Sequence, residues 1–143
     1  MNGSVLALVP ARSGSKAIKD KNVFPLAGHP LVGWSIAAAR RSALVDRVLL
    51  STDSVAYAAV GETYGAEVPF LRPETLATDD AVDNGYVEHA LDWLAENGGE
   101  PDLIVLLRPT SPLRRPEVID EAVETFRTTG GATSLRSLHE MSE

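Results

Sequence analysis

Arg12, Lys16, Lys19 and Lys21 crowd into one short stretch, Val9–Asn22, which reads VPARSGSKAIKDKN. Four cations stand there against a single anion, Asp20, in a protein whose formal charge is −7. An acidic chain that gathers its positive charge in one place has built a surface suited to an anion. Ala11, Ser13, Gly14 and Ser15 are small, so backbone N–H groups among them can approach a ligand closely, and the stretch reads as a phosphate cradle. The competing reading is a solvated basic loop. A Walker loop and a dinucleotide Gly-x-Gly-x-x-Gly fingerprint are both absent from the sequence. Ordinary ATPase and dehydrogenase readings therefore lose their main support.

The elements that must hold this loop follow from hydropathy. Val5–Val9 is an unbroken apolar run, as a parallel strand buried on both faces requires. Pro30 stands where a first helical residue would, and Leu31, Trp34, Ile36 and Ala38 carry a helical pattern to about Ser42. Val48–Ser51 predicts a second strand. Asp53 or Ser54 can cap the helix that follows, through Tyr64, with Gly65 as its stop. Glu67–Phe70 predicts a short third strand. Asp79 and Asp80 offer a cap for a helix with Val82, Tyr86, Ala90 and Trp93 on one face, ended by Gly98-Gly99. Leu103–Leu107 predicts a fourth strand. Pro116 opens a last helix, with Val118, Ala122, Val123 and Phe126 inward, which ends by Gly130, and Ala132–Leu135 predicts a fifth strand.

Strands alternating with helices define an α/β class, with a mostly parallel, Rossmann-like sheet covered by helices on both faces. In such sheets ligands bind beyond the carboxyl ends of the strands. The loops at Pro10, Ser51, Leu71 and Arg108 are therefore where function is expected.

The same stretches carry a family resemblance. VPARSGSKAIKDKN at Val9–Asn22, STD at Ser51–Asp53, YGAEVPFLRPETLATD at Tyr64–Asp79 and RPTSPLR at Arg108–Arg114 together resemble the acylneuraminate cytidylyltransferases. These enzymes activate nonulosonic acids as CMP-sugars on a fold of the nucleotide-diphospho-sugar transferase type. The resemblance runs over nearly the whole chain, in order. It implies CTP and a sugar acid as partners, Mg2+ as cofactor, and a homodimer for the longer family member. It also implies that the main metal-binding carboxylates and a dimerisation arm lie in a later part of the family's sequence, beyond Glu143. The end, SLHEMSE, closes no helix or strand, so 1–143 reads as a single domain that continues beyond its C-terminus.

In such an enzyme a sugar hydroxyl attacks the α-phosphorus and pyrophosphate leaves, so fixed cations supply much of the catalysis. Arg12, Lys16 and Lys21 are expected on the triphosphate, with Ala11, Ser13, Gly14 and Ser15 lining its cradle and Lys19 solvated. The resemblance maps Lys21 and Asn22 onto the family's lysine–asparagine pair, with the lysine near the α-phosphate and the asparagine on the nucleotide. Arg12 and Lys21 are thus the candidate catalytic residues. Asp53 is read as a helix cap or a nucleotide-site residue, and as a metal ligand only in company, since magnesium sites recruit more than one anionic ligand. Arg72 matches the family's LRP arginine at the nucleotide; read alone, it would be a surface ion pair. Thr78, Asp79, Ala81 and Asp83 fall where the family reads cytosine, and an aspartate can accept from the cytosine amino group. Arg108, Thr110, Ser111 and Arg114 lie in the loop the family uses for the sugar acid. Arg108 stands where a glutamine is common, which favours a more anionic acceptor or altered contacts with the sugar hydroxyls.

Composition narrows the classes further. The sequence has 143 residues, 23% charged and 44% apolar, as expected of one globular domain. No apolar run reaches the roughly 20 residues of a membrane span, and no signal segment is evident at the N-terminus. The absence of cysteine rules out disulfides and thiolate zinc sites and fits a cytoplasmic setting. A pI near 4.9 argues against nucleic-acid binding. His29, His89 and His139 are too scattered for a metal triad. Two alternatives stay open: a nucleotidyltransferase of this fold with another acceptor or base, and a piece that binds nucleotide without catalysis.

Overall fold

The computed structural model describes residues 3–138. Its centre is strand β1, Val5–Pro10, whose first five residues are all buried. Strand β1 leads into the basic loop, which ends in a single 3-10 turn at Lys21–Val23. A two-residue hairpin follows, β2 (Pro25–Leu26) against β3 (His29–Pro30), turning through Ala27 and Gly28, both at positive φ. Helix α1 (Leu31–Arg41), strand β4 (Arg47–Ser51) and helix α2 (Val55–Thr63) come next. A 3-10 turn at Glu74–Leu76 then leads to α3 (Asp83–Asn97), β5 (Leu103–Leu106) and α4 (Pro116–Thr128).

Strands β4, β1 and β5 form a parallel sheet in that order, with Leu8 opposite Leu49 on one side and Leu106 on the other. Successive side chains of β1 point to opposite faces and serve two cores. Ala7 and Val9, with Val48 and Leu50, pack against Val32, Ile36 and Ala39 of α1, Tyr57 of α2 and Ile119 of α4. Leu6 and Leu8, with Leu49, pack against Tyr86, Ala90 and Leu94 of α3. The mostly parallel sheet with helices on both faces is therefore present. Close approach fixes two joints: a Cβ on Gly61 of α2 would collide with Leu50 Cδ2, and one on Gly33 of α1 would lie 2.8 Å from the Tyr64 ring.

Several expected elements differ. Pro30 ends β3 and precedes the first turn of α1 rather than lying in it. Glu67–Phe70 makes a single parallel bridge, Glu67 to Leu49, and no strand. Arg47 holds the Glu67 side chain through two guanidinium bonds at 3.2 and 2.7 Å, and the chain then turns away toward Arg72. Ser54, not Asp53, caps α2, accepting from the Tyr57 N–H at 3.2 Å. Asp79 and Asp80 do not cap α3, which begins at Asp83, and Val82 is exposed instead of facing the core. On α4 the fully buried positions are Ile119 and Val123, with Val118, Ala122 and Phe126 only partly covered. Ala132–Leu135 forms no strand. Residues 139–143, from His139 to Glu143 and so most of the terminal SLHEMSE, lie outside the described residues. No helix among the described residues is long and apolar enough to cross a membrane.

Candidate functional site

The chain passes from β1 through α1 to β4 on one side of β1, then crosses through α3 to β5 on the other. A cleft opens beyond the carboxyl ends of these strands, where ligands bind in open α/β sheets. The cleft measures about 170 Å³ and is lined by Pro10, Arg12, Ser15, Lys21 and Asn22 from the first loop. Arg72, Leu76, Thr78, Asp79, Ala81, Asp83 and Tyr86 line it from the segment before and into α3, and Arg108, Pro109 and Thr110 from the loop after β5. Segments remote in sequence supply it.

The basic loop is held at both ends. Asp53 takes the Ser13 N–H at 2.8 Å and the Ser13 hydroxyl at 2.7 Å. At the far end, Tyr57 donates its hydroxyl to Asp20 at 2.6 Å, where Asp20 adopts φ 53°. Between them, the Asn22 amide donates to the Arg12 carbonyl at 3.0 Å and closes the loop on itself. Burial, reinforced by the bond to Asp20, pushes the Tyr57 hydroxyl pKa well above its ordinary value.

The cations are arranged by two carboxylates. Arg12 Nη2 lies 2.7 Å from one oxygen of Asp79 and Lys16 Nζ lies 2.7 Å from the other. Hydrogen bonding from Lys16, with the charge of Arg12 nearby, holds the Asp79 carboxyl below the usual carboxylate range. Asp83 pairs with Arg108 and accepts from the Tyr86 hydroxyl at 2.8 Å. Arg72 is 5% exposed, and its guanidinium donates to Ser51 Oγ at 3.0 Å and to the Ser51 carbonyl at 2.8 Å. It also sits 4.5 Å from the centroid of the Tyr86 ring, a cation–π placement. Burial lowers its pKa, yet a guanidinium stays protonated. Arg12, Lys16, Lys21, Arg72 and Arg108 thus surround two carboxylates, a net positive cleft in an acidic protein.

Most residues expected at the site converge here: Arg12, Ser15, Lys21, Asn22, Arg72, Asp79, Ala81, Asp83, Arg108 and Thr110. Others do not. Ala11 is fully buried and its N–H is taken by the Ser51 carbonyl at 2.9 Å, so it offers nothing to a phosphate. Ser13 has both its N–H and its hydroxyl on Asp53, and the Gly14 carbonyl accepts from Arg12 at 2.8 Å. Lys16 joins through Asp79 and is otherwise largely exposed. Ser111 and Arg114 turn away into a separate groove with Leu26, Leu113 and Val118, because Pro109 and Pro112 stiffen a loop that reverses at Ser111. Asp79 meets two cations of the basic loop instead of standing open to a base. Asp53 has both oxygens engaged, and no group of three or more potential metal ligands occurs among the described residues. The metal ligands expected beyond Glu143 lie outside those residues, as does Glu143 itself. Tyr86 is legible in the sequence only as a core position of α3, yet it forms one wall of the cleft. Tyr57 and Asp20 carry no sequence signal for the tether they make.

The cytidylyltransferase family model matches residues 6–142, so this chain belongs to the cytidylyltransferase family. It is 44% identical over 88% of its length to the CMP-N,N'-diacetyllegionaminic acid synthase of Legionella pneumophila, and covers 54% of that protein. It is 41% identical over 90% of its length to the N-acylneuraminate cytidylyltransferase of Escherichia coli, and covers 29% of it. Among solved structures, CMP:2-keto-3-deoxy-manno-octonic acid synthetase, determined with CTP, has a TM-score of 0.72 at 18% identity, over 90% of this chain and 49% of that one. The chain spans about half or less of the length of these relatives.

Proposed function

We propose that the protein carrying this chain is a CMP-sugar synthetase, transferring CMP from CTP to a nonulosonic or related sugar acid with release of pyrophosphate. The observation that carries the reading is the convergence of Arg12, Lys21, Arg72 and Arg108 on one cleft at the switch point of the sheet. The names of the relatives favour this acceptor class. In the transfer, a bond forms between a sugar oxygen and the α-phosphorus as the bond to the pyrophosphate oxygen breaks. Negative charge grows on the equatorial and leaving oxygens, and cations already fixed in place stabilise it without reorganising. Lys21, which lines the cleft and has no carboxylate partner among the described residues, is the candidate for that charge, with Arg12 beside it.

On this reading Ser15 and Lys16 hold phosphates and Asn22 fixes the loop that presents them. Arg72 and Ala81 bound the nucleotide pocket. Asp83 would meet a cytosine amino group by giving up its bond to Arg108 or Tyr86, while Arg108 and Thr110 face the acceptor. Arg108 keeps half of its surface exposed while paired with Asp83, so it can meet a sugar carboxylate or hydroxyl. Magnesium would screen the triphosphate and polarise it, but the described residues do not fit a protein-held magnesium site. Asp53 holds Ser13, Asp79 holds Arg12 and Lys16, and Asp83 holds Arg108 and Tyr86. Those engagements favour a second reading for the 143-residue chain by itself: it binds nucleotide without completing the transfer. Metal ligands beyond Glu143, a homodimer of the longer protein and a cytoplasmic location belong to the same proposal.

The test is pyrophosphate release by a protein carrying this sequence at the full length of its relatives, with each of four nucleotides and a panel of sugar acids. Release with CTP and a nonulosonic acid is the expected outcome. Release with another nucleotide in preference to CTP would replace the reading with the same-fold alternative.

A further inference from the structure

We propose that Asp79 is an internal counter-anion of the phosphate loop, a specificity-determining residue that a nucleotide's phosphate chain must displace. The inference rests on the phosphate-binding reading of that loop. One carboxylate bridges two loop cations, Oδ1 to Arg12 and Oδ2 to Lys16, each at 2.7 Å. These cations flank Ser15, which lines the cleft, so the carboxylate holds the charges an anion bound beside Ser15 would use. The second arm of Arg12 is already turned onto the Gly14 carbonyl, which leaves its Nη2 and the Lys16 ammonium as the groups a phosphate would claim.

The bridge is built for exchange. The Asp79 side chain is about one-third exposed and that of Lys16 is 84% exposed, and solvated pairs of this kind carry little net stability. Asp79 lies in a segment without regular secondary structure, between the 3-10 turn at Glu74–Leu76 and α3. It can swing aside without unravelling an element. A polyphosphate brings several negative charges against the one it replaces, whereas a singly charged ligand gains almost nothing by the exchange. Asp79 would then keep the loop compact and discriminating when empty, at the cost of weaker phosphate binding.

Opposite signs separate this role from the alternatives. If Asp79 merely orders the loop, its removal loosens the cations and weakens binding. If it reads the base, its removal changes cytidine binding and leaves inorganic polyphosphate untouched. If it is a counter-anion, its removal strengthens polyphosphate binding.

The experiment is titration calorimetry of the 143-residue chain and its Asp79→Asn variant with inorganic tripolyphosphate and with cytidine, without magnesium, at low and high salt. Asparagine keeps the size of the side chain, and circular dichroism of the variant checks its fold. The expected result is about 3- to 10-fold tighter tripolyphosphate binding by the variant at low salt. The gain should shrink at high salt, and cytidine affinity should stay unchanged. Measurable binding by the parent with equal or weaker binding by the variant would overturn the counter-anion role alone. No tripolyphosphate binding by either protein would overturn the phosphate reading of the loop and this inference with it.

Discussion

Tyr57 donates its hydroxyl to Asp20 at 2.6 Å, and this bond ties the far end of the basic loop to the first turn of α2. The tyrosine ring belongs to the core beneath the sheet, so the tether is anchored in buried side chains. Asp20 immediately precedes the turn that sends Lys21 into the cleft. Tyr57→Phe keeps the ring and removes the tether. The expected outcome is a loss of about 1–2 kcal/mol in chemical denaturation, as for a part-buried hydrogen bond to a charged acceptor. CTP binding should weaken several-fold with cytidine binding unchanged. A stability loss with CTP affinity intact would leave the bond a purely structural role.

Arg72 joins three parts of the site, since it bonds to the end of β4, stacks on Tyr86 and lines the cleft. Lysine has one ammonium and no planar fork, so Arg72→Lys cannot keep both contacts to Ser51 and the stacking. Urea denaturation should show a loss of about 2–3 kcal/mol, and CTP affinity should fall as well. A variant as stable as the parent would show that the buried guanidinium contributes nothing net.

Burial, then hydrogen bonds to Asp20 and Asp83, raises the hydroxyl pKa of Tyr57 and Tyr86 above the ordinary 10.0. In the unfolded chain both ionise near ~10. Their folded values lie higher, so the associated stability is complete below that pH and is lost as pH rises beyond it. Absorbance titration should find these two tyrosines still neutral in the folded protein at about pH 11, ionising only as it unfolds. Ordinary titration of Tyr57 and Tyr86 would contradict these part-buried hydrogen bonds.

What can be read from the sequence follows physical lines. β1 and β4 are legible because strands buried on both faces must be apolar throughout, and α1 to α4 because their periodicity and stops are local. The Glu67–Phe70 segment has strand-like residues but only one backbone bridge, a difference set by where the chain must go next. The β2–β3 hairpin hides behind Pro25 and Pro30, and its Ala27-Gly28 turn lacks the Asn-Gly or Asp-Gly signal that usually marks one. In the site, Arg12, Lys21 and Arg72 are legible from charge and motif. The partners of Asp79, and Arg108 as a partner of Asp83, lie remote in sequence and depend on tertiary geometry, so no local pattern reveals them. Ser111 and Arg114 share a motif with Arg108 but leave the cleft once the proline-rich loop turns.

The engaged state of the three nearby aspartates has a consequence for turnover. With CTP, magnesium and a nonulosonic acid, the 143-residue chain should release no pyrophosphate at a measurable rate. Magnesium should improve its nucleotide binding little beyond chelation by the free triphosphate. Robust release by this chain alone would place a working metal site on one of those aspartates instead of beyond Glu143, and Asp53→Asn would then be the first variant to assay.

The cleft between the β1 and β5 loops is proposed above as a cytidine triphosphate site. Calorimetric titration of the chain with CTP, UTP, ATP and GTP under identical salt tests it most directly. Binding should be tightest for CTP, and abolished or strongly weakened in Arg12→Ala and Lys21→Ala. Equal or tighter binding of ATP, or CTP binding indifferent to both substitutions, would contradict it.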